Sequence, residues 1–162
     1  TRDYKRDTGE NLYRRSLYTF WKRSAPPASM DILNAPAREV CTVRRERTNT
    51  PLQALVTLND EQFVEAAKFL AQRTLQATAS DGERLQFLAR QLLARPWSDR
   101  ELVIAHGSLA DLRGHYGEHP EDAERLLKVG EFTVDAALPK SELAAWTMLI
   151  NQLMNLDEVL CK

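Results

Sequence analysis

The stretch from His115 to His119 reads HYGEH. This is an H-x-x-E-H pattern, in which two histidines four apart on one face of a continuous helix converge on zinc while the glutamate handles a proton. That chemistry requires an unbroken helix. Gly117 sits inside the motif and Pro120 follows it directly, so the sequence predicts a solvated turn between two helices and no metal at His115 or His119. His106 reads as a surface or boundary residue of an amphipathic helix.

A second kind of chemistry is cationic. Residues 40 to 55 read VCTVRRERTNTPLQAL and place Arg44, Arg45 and Arg47 within four positions. Together with Arg14, Arg15, Lys22, Arg23 and Arg38 they form a candidate anion- or partner-binding set, interleaved with Tyr13, Tyr18, Phe20 and Trp21. The planar guanidinium suits paired hydrogen bonds to carboxylates, sulfates or phosphates. Successive strand residues face opposite ways, so Arg44 and Arg45 could not both serve one flat surface. The expectation is that most of Arg44, Arg45 and Arg47 make charge-assisted hydrogen bonds inside the chain. Acidic polysaccharide is the alternative occupant. Nucleic acid is not expected, because no nucleic-acid motif accompanies the charge.

No catalytic set emerges. The chain has no Gly-rich phosphate loop, no G-x-S-x-G elbow and no paired-cysteine framework, so neither a catalytic residue nor a cofactor is assigned. Cys41 and Cys161 are 120 positions apart and form neither C-x-x-C nor C-x-x-C-H. No run of about 18 apolar residues could span a membrane. The chain opens on Thr1 without an initiator methionine or signal-peptide pattern and reads as a piece of a longer polypeptide.

The elements that would position these residues divide near Thr50. Residues 1–50 carry a net charge of +5 and residues 51–162 a net of −6, so the simplest arrangement packs the basic segment on the acidic one. Beyond Thr50 helix signals are dense. Thr50, Pro51 and Gln53 open a short helix to about Leu58; Asn59 and Gln62 open the next, ending near Ala77. Ser80 with Glu83 and Ser98 with Glu101 are capping boxes heading amphipathic runs. Pro120 starts a helix that Gly130 closes in the left-handed conformation, and Ser141 caps a last helix whose Leu143, Trp146 and Ile150 read as core. This is a mainly α fold: about six helices in hairpins after residue 50, in one domain spanning residues 1–162. Before Thr50, residues 12–23 and 38–45 are rich in β-branched and aromatic side chains and predict a β-ribbon packed on the helices, joined by a proline-rich loop.

Four segments carry a family resemblance: LYRRSLYTFWKRSAPP, REVCTVRRERTNTPLQALVTLND, QFVEAAKFLAQR and ELAAWTMLINQLMNLDE. They resemble the C-terminal part of the planctomycete-specific domain of unknown function 1553, from Tyr4 to Glu158. The resemblance implies an exported, extracytoplasmic or periplasmic bacterial protein in which a cytochrome c domain and the rest of the family domain lie upstream as partners. It implies no catalytic residues. The function expected on that footing is a structural or interaction module. The alternative is part of a carbohydrate-active enzyme whose site is completed by upstream domains, which would show a deep pocket of converging acid and base groups.

Overall fold

A computed structural model describes residues 7–22 and 26–161, and the chain divides into two compact units, Thr1–Val56 and Thr57–Lys162. The division falls inside a helix.

The first unit departs from expectation. No strand forms among its described residues; Gly9–Tyr13 and Ser16–Tyr18 are 3-10 turns, and residues 38–45 are bends and irregular chain. The predicted β-ribbon is therefore wrong. Strand preference is chiefly a preference for packing on a pleated surface, and without a paired neighbour a Tyr- and Thr-rich stretch gains nothing from extension. The predicted loop also contains a short helix, α1 (Ala28–Ile32).

What fixes the end of this unit is an amide. The helix α2 (Pro51–Asn59) opens as the sequence indicated: the Gln53 N–H donates to Thr50 Oγ1 (3.2 Å) and Gln53 Oε1 accepts from the Thr50 N–H (3.0 Å). Gln53 Nε2 then donates to the Ile32 carbonyl (2.9 Å) and Thr48 Oγ1 (2.8 Å), and Asn34 Nδ2 also reaches Thr48 Oγ1 (2.6 Å). Gln53 is only 3% exposed. One buried side chain thus closes the helix cap and ties it to the end of α1, and an uncharged amide does so without the desolvation cost of a buried cation.

The second unit is all helix and connection. After the α2 C-terminus come α3 (Glu61–Ala77), α4 (Asp81–Leu92), α5 (Asp99–Glu118), α6 (Pro120–Leu127), α7 (Lys140–Met154) and the four-residue α8 (Asp157–Leu160). Most starts match their caps. Ser80 accepts from the Glu83 N–H, and Ser98 with Glu101 form a complete reciprocal box. Two shift: Asp60, not Asn59, caps α3, and α7 begins after Pro139, leaving Ser141 inside its first turn. Gly130 has φ +80.

Consecutive helices touch, as hairpins require, but α7 is the hub: it packs against α3, α5 and α6. Its Leu143, Ala144, Ala145, Trp146, Leu149 and Ile150 are all buried, the pattern of a helix enclosed on every side. Ala67 and Ala71 of α3, fully buried, let its backbone approach closely. No described helix is long and apolar enough to cross a membrane.

The α4–α5 connection and α8 are joined by Arg95. Its guanidinium donates to Glu101 (2.7 and 3.0 Å) and to Glu158 (2.7 and 2.9 Å) and lies over the Trp97 ring. These bonds, with those from the Ser98 backbone and hydroxyl, hold the Glu101 carboxyl down at about 2 against an ordinary 4.5. A carboxyl depressed in the fold stabilises it above the ordinary value, and that stabilisation disappears as pH falls toward about 2. Arg95→Ala is expected to raise the Glu101 midpoint toward 4.5, the Ser98 bonds keeping it somewhat below. Carboxyl chemical shifts followed through an acid titration give the value. A midpoint still near 2 in the variant would show that Arg95 is not the cause.

Candidate functional site

The cationic set lies mostly on the surface of the first unit. Arg14, Arg15, Arg38, Arg44, Arg45 and Arg47 are exposed and Lys22 is half-buried, while Arg23 lies outside the described residues. Among the described residues, no hydrogen bond or ion pair engages the Arg44 or Arg45 side chain, whereas Arg38, Arg47 and Lys22 each have an interaction. The expectation that most of Arg44, Arg45 and Arg47 are tied down fails for two of the three. The physical reason is the absence of a strand: with no pleat, neither side chain is forced inward, and Gln53 holds the junction instead.

Large apolar side chains share this exposure. Tyr13, Leu17, Tyr18, Phe20, Val40 and Val43 stand in solvent, Val43 completely. In the second unit Trp97, Tyr116 and Trp146 are buried in the core, while Phe69, Val103 and Ile104 are exposed.

The described residues of the first unit include a concave place. Trp21, Ala37, Arg38 and Glu39 line an open hollow of about 460 Å³. The Arg38 guanidinium carbon sits 5.0 Å from the centroid of the half-buried Trp21 ring, a cation–π distance. Arg38 has φ +61, the left-handed region that side chains other than glycine and asparagine rarely occupy. The sequence had marked Trp21 and Arg38 as members of a dispersed set; Glu39 and the hollow itself were not foreseen, since neighbours in sequence say nothing of concavity.

The family model described as Protein of unknown function (DUF1553) matches residues 1–109. The chain belongs to the DUF1553 family. The matched span includes the whole first unit and extends along α5, whereas the resemblance read from the sequence ran on to Glu158. No curated protein and no solved structure matches the chain.

Elsewhere in this DUF1553 chain, charged groups are occupied with each other. Arg113 donates to Asp81 (2.6 and 3.0 Å) and, through Nε (2.9 Å) and Nη2, to Glu142, which also accepts from the Trp146 indole (2.8 Å). Arg84 adds a bond to Asp81 (3.2 Å), and both guanidiniums lie 5.9 Å from the Trp146 ring. The paired carboxylates are thus saturated by arginine, which leaves neither poised to carry a proton in catalysis.

A second cluster is deeper. Lys68, 0% exposed, donates to the carbonyls of Leu127 (3.1 Å) and Val129 (2.6 Å) at the end of α6. Glu65, 2% exposed and one turn earlier, accepts the N–H groups of Glu131 and Phe132 (3.2 Å). Burial pushes the Lys68 ammonium below its ordinary range, with Glu65 opposing. The pair caps both sides of the turn at Gly130.

The HYGEH motif differs from its sequence reading. The helix α5 continues through Gly117 to Glu118, so the predicted turn is confined to His119, which ends α5 and precedes Pro120. One helical glycine costs only about 1 kcal/mol against alanine, which a 20-residue helix absorbs. The His115 and His119 rings lie stacked, centroids 4.9 Å apart, with His119 Nδ1 on the His115 carbonyl (3.1 Å) and His115 Nε2 3.6 Å from Asp122. Neither Cys41 nor Cys161 is in a disulfide, and the Cys161 thiol donates to Asp157 Oδ1 (3.2 Å).

Proposed function

We propose that this chain is a structural and interaction module, with the first unit as its contact surface for an acidic partner. The observation that carries the reading is the joint exposure of arginine and large apolar side chains between Tyr13 and Arg47. Exposed apolar side chains rimmed by charge are what a docking face presents, and arginine is the cation enriched at such faces. On the family resemblance, the partners are neighbouring domains of an exported, cytochrome-c-linked protein outside the cytoplasm, and acidic polysaccharide is a second anionic occupant. On the same resemblance, the haem is held by a neighbouring domain.

The test separates surface from scaffold. The double variant Arg44→Ala, Arg45→Ala should unfold within about 0.5 kcal/mol of the parent. It should also elute earlier from a sulfated-polysaccharide column, with the difference shrinking as salt is added. A variant that melts well below the parent yet elutes with it would assign both arginines to the fold and end the reading.

A further inference from the structure

We propose that the outer face of α5 is a self-association surface, on which the same face of a second copy of this chain packs antiparallel. The surface belongs to the second unit alone and is independent of the cationic segment before Thr50.

Arg100, Val103, Gly107, Ala110, Gly114 and Gly117 recur every three or four positions along α5, so they share one face, and all six are exposed. The solvent face of a helix is ordinarily polar. Along this line the only charge is Arg100, Val103 is 72% exposed, and Ile104 beside it is 69% exposed. Three glycines inside one helix weaken it, since only proline is a poorer helix former. Nothing in the chain requires them there. A Cβ at Gly107, Gly114 or Gly117 would meet no atom within 4 Å beyond its own stretch of helix. What small residues on a helix face permit is the close approach of a second helix.

The spacing identifies that helix. The line is symmetric about the point midway between Ser108 and Leu109: Gly107 pairs with Ala110, Val103 with Gly114 and Arg100 with Gly117. An antiparallel two-fold through that point sets Val103 of each copy over Gly114 of the other, a large side chain against a gap, at both ends of the contact. The charges fit the same operation. Arg100 stands in the first turn of α5 and Glu118 in the last, each at the unfavourable end of its own helix dipole. Among the described residues, neither side chain has a hydrogen bond or ion pair within the chain. They lie on the same flank of the line, and the two-fold brings Arg100 of one copy level with Glu118 of the other, twice over. A parallel pair would set Arg100 against Arg100 and glycine against glycine, so charge selects the antiparallel one. A helix of this length is about 30 Å long. One such face buries less than a standard interface, so the dimer is weak, with a Kd of about 10–100 µM.

The glycines supply a variant that leaves the monomer sound. Gly107→Gln with Gly114→Gln enters open space and raises helix propensity, so that chain should melt no lower than the parent. The charge reversals Arg100→Glu and Glu118→Arg each suit the helix dipole better than the native residue and should likewise fold. Sedimentation equilibrium of the full chain, loaded from about 5 to 500 µM, should show the parent passing from monomer to dimer. The glycine variant should stay monomeric throughout. Either charge reversal alone should weaken association about tenfold, and the two together should restore it, because opposite charges then meet again across the two-fold. A dimer that survives the glycine variant overturns the proposal, as does a double reversal that associates no better than either single one. A parent monomeric at the highest loading also overturns it and leaves the face to a partner other than this chain.

Discussion

Gly130→Ala lowers the unfolding free energy by about 2–5 kcal/mol, the expected sum of two costs. Gly130 has φ +80, where a Cβ costs about 1–2 kcal/mol against the backbone. A Cβ there also stands 2.8 Å from Glu65 Cδ and 2.9 Å from Glu65 Cβ and overlaps the carboxylate itself. Glu65 is engaged: its Oε2 accepts the part-buried N–H groups of Glu131 and Phe132. Displacing it leaves both part-buried donors without their acceptor, at about 1–3 kcal/mol together because water reaches them in part. The turn cannot relax the other way, because Lys68 holds the Leu127 and Val129 carbonyls just before it. Urea unfolding gives the number, as a lower midpoint at unchanged slope. Lys68→Met should fall in the same range, since it leaves Glu65 buried without its cation. Coupling between the two substitutions in a double-mutant cycle marks them as parts of one turn. A Gly130→Ala protein within about 1 kcal/mol of the parent would mean that the carboxylate moves aside at little cost.

That turn also shows where the sequence is legible and where it is not. A glycine shortly after an amphipathic run is a left-handed closing residue on local grounds alone, and Gly130 has the positive φ expected. The Ser98–Glu101 box is equally local, donor and acceptor being three residues apart. Where two capping residues stand side by side, as at Asn59 and Asp60, the pattern fixes the start only to within a residue. Lys68 and Glu65 lie outside any local signal. In sequence they read as polar positions of an amphipathic helix, and only a turn more than 60 positions away makes them interior groups. Arg113 is similar, since its partners Asp81 and Glu142 come from helices about 30 positions to either side. The first unit was misread for the opposite reason: composition pointed to strands where no pairing edge exists. The candidate site was legible as a cationic, aromatic segment but not as a hollow, because which of its side chains line a wall depends on bends that β propensity does not encode.

Arg113→Ala should lower stability at neutral pH by about 2–3 kcal/mol and, more tellingly, reverse its dependence on acid. The magnitude sits below the 3–5 kcal/mol of a fully buried broken pair, because the Arg113, Asp81 and Glu142 side chains are 35%, 30% and 27% exposed and water screens part of the loss. In the parent, hydrogen bonds from Arg113 hold the Asp81 carboxyl below its ordinary 3.8 against the opposing effect of burial, with Arg84 assisting. Burial pushes Glu142 upward, but the bonds from Arg113 and Trp146 outweigh it and leave the carboxyl below 4.5. Both folded values therefore lie under the unfolded ones. Such groups stabilise the fold above about 4.5 and surrender that stabilisation as pH falls through the folded values. Without Arg113 the balance at Glu142 turns over: burial and the neighbouring Asp81 charge, both of which raise it, then exceed the single indole bond. A carboxyl raised in the fold destabilises it at neutral pH and ceases to do so once protonated. Between pH 7 and about 5 the variant should gain stability on acidification while the parent stays level, and below 4.5 the parent should decline more steeply. Urea midpoints at half-unit pH steps resolve the two curves. Parallel curves for parent and variant would show that Arg113 does not set these carboxyls, and that the clamp across α4, α5 and α7 is held by Trp146 packing alone.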